Sequence, residues 1–215
     1  ASSTAYLMLN DVYRSIELGE QSINLLTQNA EVEPTSIINR YGVRSTAYLR
    51  IGKPEQAREF ADKSLQTMDK VKRPVIFSVY EGYVQTAETY FSLWESAPPN
   101  SASEPELKQI AARICKHLHT FSSIFPIGEP PMQRYQGLYE WSTGQQSKAR
   151  ECWQLALNAA LKLGMAFEEG MAHYVIGLHL PTSDPQRQQH LTRAHIILDS
   201  LNANFELALV EQAMQ

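Results

Sequence analysis

The segment Gly137–Met165, GLYEWSTGQQSKARECWQLALNAALKLGM, decides the fold. Gly144 sits at its middle, between two runs with apolar residues at helical spacing. Gly137 lies seven residues before it. Ala149, Trp153 and Ala156 lie five, nine and twelve residues after it. Small side chains at Gly137, Ala149 and Ala156 let two helix axes approach to the short end of the ~8–10 Å range. Trp153 is then the plug that fills the space beside the crossing. The pattern predicts a helical hairpin turning at Gly144.

A second copy is centred on Gly52. Tyr48 precedes it by four residues; Ala57 and Leu65 follow by five and thirteen. This copy departs from the first at two places, with Ser45 where Gly137 stands and Ala61 where Trp153 stands. Gly19 precedes Gly52 by about one 34-residue tetratricopeptide period. A single hairpin cannot bury its apolar stripe, so such units stack on their neighbours. The rest of the chain reads as helix: Ala5–Leu18, broken at Gly19, then Glu20–Thr27; from Pro34 to Gly52; from Pro54 through Met68; and from Pro74 to about Trp94. Further helices cover about 105–123, 132–143, 146–163, 166–180 and 185–201, with a short one closing the chain. His190–Leu201 reads as one more second helix, with Leu191, Ala194 and Leu198 on one face. The expectation is an all-α right-handed superhelix of about five antiparallel helical hairpins. It forms one domain, with repeats over 1–96 and 106–215 joined by a mobile loop at 97–105, where SAPPNSASEPE is low in complexity.

Composition bounds the function. The 215 residues carry 43% hydrophobic and 20% charged side chains, ordinary for a globular chain. A net charge of −4 gives no bulk attraction to nucleic acid or to an anionic membrane. Lys70, Lys72 and Arg73 form a local basic cluster that suits a helix C-terminus. No apolar run approaches the ~18 residues of a membrane span. Two cysteines, Cys115 and Cys152, without a C-x-x-C, point to a reducing compartment and packed thiols. The chain opens at Ala1 rather than Met, and is expected to be a piece of a longer protein.

Four segments extend the pattern: RYGVRSTAYLRIGKPEQAREFADKSL, FSVYEGYVQTAETYFSLWE, FPIGEPPMQRYQGLYEWSTGQQSKARECW and LGMAFEEGMAHYVIGLHL. Together they resemble the C-terminal helical-repeat region of large bacterial signalling ATPases. Those proteins often carry adenylate/guanylate cyclase or kinase domains, and the maltose-regulon activator class has a related sensor region. The resemblance implies that chemistry lies upstream and that the repeats act as a cytoplasmic sensory or scaffolding arm without a cofactor. The implied partners are a protein or peptide, other domains of the same chain, or a small effector. A purely structural or self-association arm is the alternative; a small helical enzyme is the third reading.

No assembled chemistry competes with this. Gly52-Lys53 fails as a phosphate loop, because Ala47 replaces the first glycine and Pro54 the hydroxyl residue. CKHLH places Cys115 and His119 one turn apart on a helix, but a metal needs two more ligands. Glu169 stands at i−4 from His173, the spacing of a helix-surface ion pair. Tyr80, Tyr83, Ala87, Tyr90 or Phe91, and Trp94 form a strip that is either core between helix layers or an aromatic grip on a groove. The first helix of each pair lines the groove in such repeats, which nominates Asn39, Gly42, Thr46, Arg134, Leu138 and Trp141. For Trp141, packing on the next repeat is the competing reading.

Overall fold

The computed structural model describes residues 11–27, 34–71 and 73–215, with side chains described over most of that span. The ten α-helices among them are α1 (Val12–Thr27), α2 (Pro34–Arg50), α3 (Pro54–Lys70), α4 (Tyr80–Glu95), α5 (Glu104–Ser122), α6 (Glu129–Ser142), α7 (Gln146–Leu163), α8 (Ala166–His179), α9 (Pro185–Ser200) and α10 (Asn204–Met214). No strand occurs among the described residues. The chain divides into two compact units, one ending at Phe125 and the other running from Pro126. Residues 97–103 of the expected 97–105 loop connect α4 to α5 within the first unit, while Glu104 and Pro105 already belong to α5.

In both units consecutive helices pair, and the first helix of one pair also packs on the first helix of the next: α2 on α4, α6 on α8, α8 on α10. This is helical-repeat packing. The period is longer than 34 residues. Helices α6, α8 and α10 start at Glu129, Ala166 and Asn204, 37 and 38 residues apart.

One turn, built four times, joins helices. Gly52 (φ 72°), Gly144 (φ 84°), Gly164 (φ 65°) and Asn202 (φ 53°) each take a left-handed conformation after a helix. In each, the next residue donates its N–H five residues back: Lys53 to Tyr48, Gln145 to Glu140, Met165 to Ala160, Ala203 to Leu198. That is the 6→1 bond of a Schellman motif, which satisfies a carbonyl left over at the helix end. The same residue, at ψ 59–79°, caps the following helix without a side-chain bond. A Cβ at Gly52, Gly144 or Gly164 would meet nothing within 4 Å, so backbone geometry rather than space selects glycine there.

The crossings follow the sequence register. A Cβ on Gly137 would lie 2.2 Å from Nε1 of Trp153, which is itself 1% exposed. Ala149 and Ala156 are 0% and 1% exposed. In the Gly52 hairpin, Ala57, Ala61 and Leu65 are buried. There Ser45 stands in place of Gly137, its hydroxyl bonded to the Gly42 carbonyl and to Thr89 of α4, and Ala61 stands in place of the indole. Across α8 and α9, Gly170 faces Leu198 and Gly177 faces Leu191, an antiparallel pairing.

Three helix boundaries differ from expectation; the simplest is α6, which opens at Glu129 rather than 132 and takes Pro130 and Pro131 into its first turn, where proline costs no hydrogen bond. Gly19 lies inside the continuous helix α1, so it makes no turn. A single internal glycine costs about 0.5–1 kcal/mol, and packing of Val12 and Ile16 on Val43 and Ala47 opposes that loss. The expected start at Ala5–Leu9 lies outside the described residues. Pro74 does not open α4. Ile76 is extended (φ −134°, ψ 143°), and a 3₁₀ turn at Phe77–Val79 precedes Tyr80. The β-branched Val75-Ile76 pair favours that extended backbone.

Candidate functional site

The first unit spends its polar residues on packing. Helices α2 and α4 touch backbone to backbone: a Cβ on Gly42 would lie 2.5 Å from the Gly82 carbonyl oxygen, and one on Gly82 would lie 2.6 Å from Ile38. Such contact leaves carbonyls and hydroxyls facing each other, and they bond. Thr46 donates to the Gln85 carbonyl at 3.0 Å. Ser45 and Thr89 hydroxyls pair at 2.8 Å. Asn39 donates to the Ser78 carbonyl at 2.5 Å and accepts from the Gly82 N–H at 2.8 Å. Two residues nominated for the groove, Asn39 and Thr46, therefore stitch α2 to α4. Tyr83, also nominated, is 2% exposed, with its ring 5.3 Å from Phe121. Burial pushes its hydroxyl up to about 12. Tyr80, Tyr83, Ala87 and Trp94 thus belong to the inner packing of α4, and Tyr90 beside them bonds Asp62.

The metal look-alike disperses. Cys115 is buried, His117 bonds Asp69 at 2.9 Å, and His119 is exposed. Asp69 also takes Arg113. Burial alone would raise its carboxyl, but the bonds from Arg113 and His117 outweigh burial and lower it. Among the described residues, no three His, Cys, Asp or Glu side chains gather as a metal site requires.

The second unit brings polar and aromatic groups together at α6–α9. Trp141, half-buried, lies against Trp153 (centroids 5.6 Å) and edge-on to His179 (4.6 Å). His179 in turn lies 4.4 Å from Trp153. Leu138 packs into the same cluster with Ala149 and Val175. Arg134 turns to another helix. It is 5% exposed, reaches Glu168 at 3.2 Å, and lies over the Tyr135 ring at 4.4 Å. Its carbonyl accepts from Trp153 Nε1 at 3.2 Å. Glu169 pairs with Arg193 at 3.0 Å rather than with His173.

His173 instead meets His190, Nδ1 to Nδ1, at 2.9 Å, so one ring donates and the other accepts. Burial and the neighbouring His190 bring His173 down to about 4. Burial also lowers His190 and His179 below the usual histidine value. His179 donates from Nδ1 to the Val175 carbonyl at 2.7 Å, which leaves Nε2 as the ring's remaining acceptor. A cavity of about 170 Å³ opens here, with Trp153, Ile176, His179 and Leu180 as its apolar side and Arg150 and His190 at its polar side. Cys152, half-buried nearby, has its thiol raised by burial and by Glu140 and Glu151, the opposite of an activated nucleophile.

Of the cavity's residues, Arg150 and His190 carry no sequence motif. Arg150, Trp153 and Gln154 share one face of α7 at i, i+3 and i+4, which is a usable signal. Their meeting with His179 and His190 depends on how α9 returns along α8, and residues 180–184 form a Pro181–Asp184 turn rather than the glycine turn of the other hairpins. No protein-family model matches the chain, and neither a curated protein nor a solved structure matches it.

Proposed function

We propose that the chain is a non-catalytic recognition module of a larger cytoplasmic regulator, of the kind carried at the C-terminal end of large bacterial signalling ATPases. One observation carries this reading. The α7–α9 cavity keeps the Arg150 guanidinium outside any ion pair among the described residues and leaves His179 Nε2 as an acceptor, whereas the α2–α4 seam and the Arg134–Glu168 pair are consumed by packing. The effector enters that cavity, and Trp141 at its edge meets effector or partner. No helix among the described residues is long and apolar enough to cross a membrane.

A thermal-shift screen of small effectors against the purified protein tests the reading. The expected result is a compound class that raises Tm in the parent and not in Arg150→Glu, with no turnover of that compound. Hydrolase, transferase or cyclase turnover abolished by a point change would overturn it. A second reading, a self-association arm, draws on Val75 and Phe77, which are 75% and 64% exposed in the segment before α4. Isolated exposed apolar side chains are common, so sedimentation decides: a dimer that Phe77→Ser dissociates supports the arm, and a monomer removes it.

A further inference from the structure

The α7–α9 cavity specifies a ligand class by size, shape and charge. An apolar cavity of about 150 Å³ in a protein interior takes benzene. At about 170 Å³ this one has room for a single ring and one small substituent. Its apolar surface comes from the part-exposed His179, Ile176 and Leu180. Trp153, 1% exposed, backs the His179 ring from beneath at 4.4 Å and holds it in place.

The charge is single and positive. Arg150 lines the cavity, is exposed, and makes no ion pair among the described residues. No carboxylate lines the cavity. Burial lowers His179 and His190 from the ordinary histidine value and so favours their neutral forms. A guanidinium presents a planar fork that matches a carboxylate with two parallel bonds. The complement is a monoanion with a flat apolar body.

We propose that this cavity binds a single-ring aromatic carboxylate, with the ring against His179 and Ile176 and the carboxylate on Arg150. The inference rests on the reading of this cavity as the effector site, and names the effector's chemistry. The anion recognised is small and non-phosphorylated, since one cation at a half-open site matches one negative charge.

Titration of the full chain with benzoate, and separately with benzamide, tests it by tryptophan fluorescence and calorimetry. Benzoate should saturate with Kd of about 1 mM or tighter, and benzamide should bind at least about tenfold more weakly, a difference of about 1.4 kcal/mol. Arg150→Gln, an exposed change that leaves helicity intact by circular dichroism, should erase the preference for the acid. Absence of saturation, equal binding of acid and amide, or an unaltered preference in Arg150→Gln each overturns the proposal. Those failures are separable from failure of the recognition reading. A different compound class that raises Tm through Arg150 removes only the aromatic carboxylate. Turnover at the cavity removes the reading itself.

Discussion

Replacing Gly137 by alanine would place a methyl carbon 2.2 Å from Nε1 of Trp153, against an indole that is 1% exposed and cannot swing away. Overpacking of this kind costs about 1–3 kcal/mol. Gly144→Ala meets no atom but forces a left-handed backbone on an L-residue, at about 1–2 kcal/mol. Urea titrations of both variants should show similar losses for different reasons. Adding Trp153→Phe, which trims the plug, should restore part of the stability in Gly137→Ala and none in Gly144→Ala. These residues were legible in the sequence because size alone determines them: a glycine, a tryptophan and two alanines at fixed steps leave little choice of geometry. Arg134 was not legible. Its partner Glu168 lies 34 residues away on another helix, and that ion pair turns the side chain inward from a position that helical spacing assigns to the surface.

Within the elements, Arg187 is the residue that helical periodicity did not single out. Its guanidinium donates to the carbonyls of Gly177 (2.8 Å), Leu178 (3.0 Å) and Leu180 (3.3 Å), and to Ala213 (2.9 Å). One side chain thereby closes the C-terminal ends of α8 and α10, where the helix dipole favours a cation. Hydrogen bonds to a charged group contribute about 1.5–3 kcal/mol, so Arg187→Ala should lose that order of stability. Hydrogen exchange should speed up first in α10. Arg187→Lys should not rescue it, because a point charge cannot span carbonyls on two helices. Ala149→Leu should cost at least the ~1–3 kcal/mol of overpacking, since Ala149 is fully buried at the α6–α7 crossing. A loss below about 0.5 kcal/mol, the level of ordinary surface changes, would refute the register. The α6–α7 and α2–α3 hairpins were readable because a glycine turn fixes the partner of each helix. The α8–α9 pairing was not, because Leu180–Asp184 carries no such turn and Arg187 supplies the closure instead.

At the scale of the molecule, the two units answer acid differently. Histidines 173, 179 and 190, all in the second unit, are lowered by burial. An unfolded histidine titrates near 6.5. Below that value the unfolded chain takes up protons that the folded unit refuses, so stability present above pH 6.5 is lost as pH falls toward about 4 for His173. In the first unit, Asp69 and Glu59 are lowered instead, by net pairing with Arg113 and His117 and with Lys63. Their contribution persists above the ordinary carboxylate range and disappears only below it. Hydrogen exchange at pH 7 and pH 5, corrected for intrinsic rates, should therefore show loosening confined to residues 126–215. His173→Gln should flatten the dependence, and equal loss in both units would refute the assignment. The four left-handed turns carry a further consequence, for how the chain's length can vary. Each uses two or three residues with every bond assigned, so there is no slack. Deleting one residue there would rotate the next helix by about 100° relative to its neighbours, at 3.6 residues per turn, and carry its buried face into water. Insertions and deletions in related chains should therefore avoid Gly52, Gly144, Gly164 and Asn202, and accumulate instead at 96–103 and 180–184.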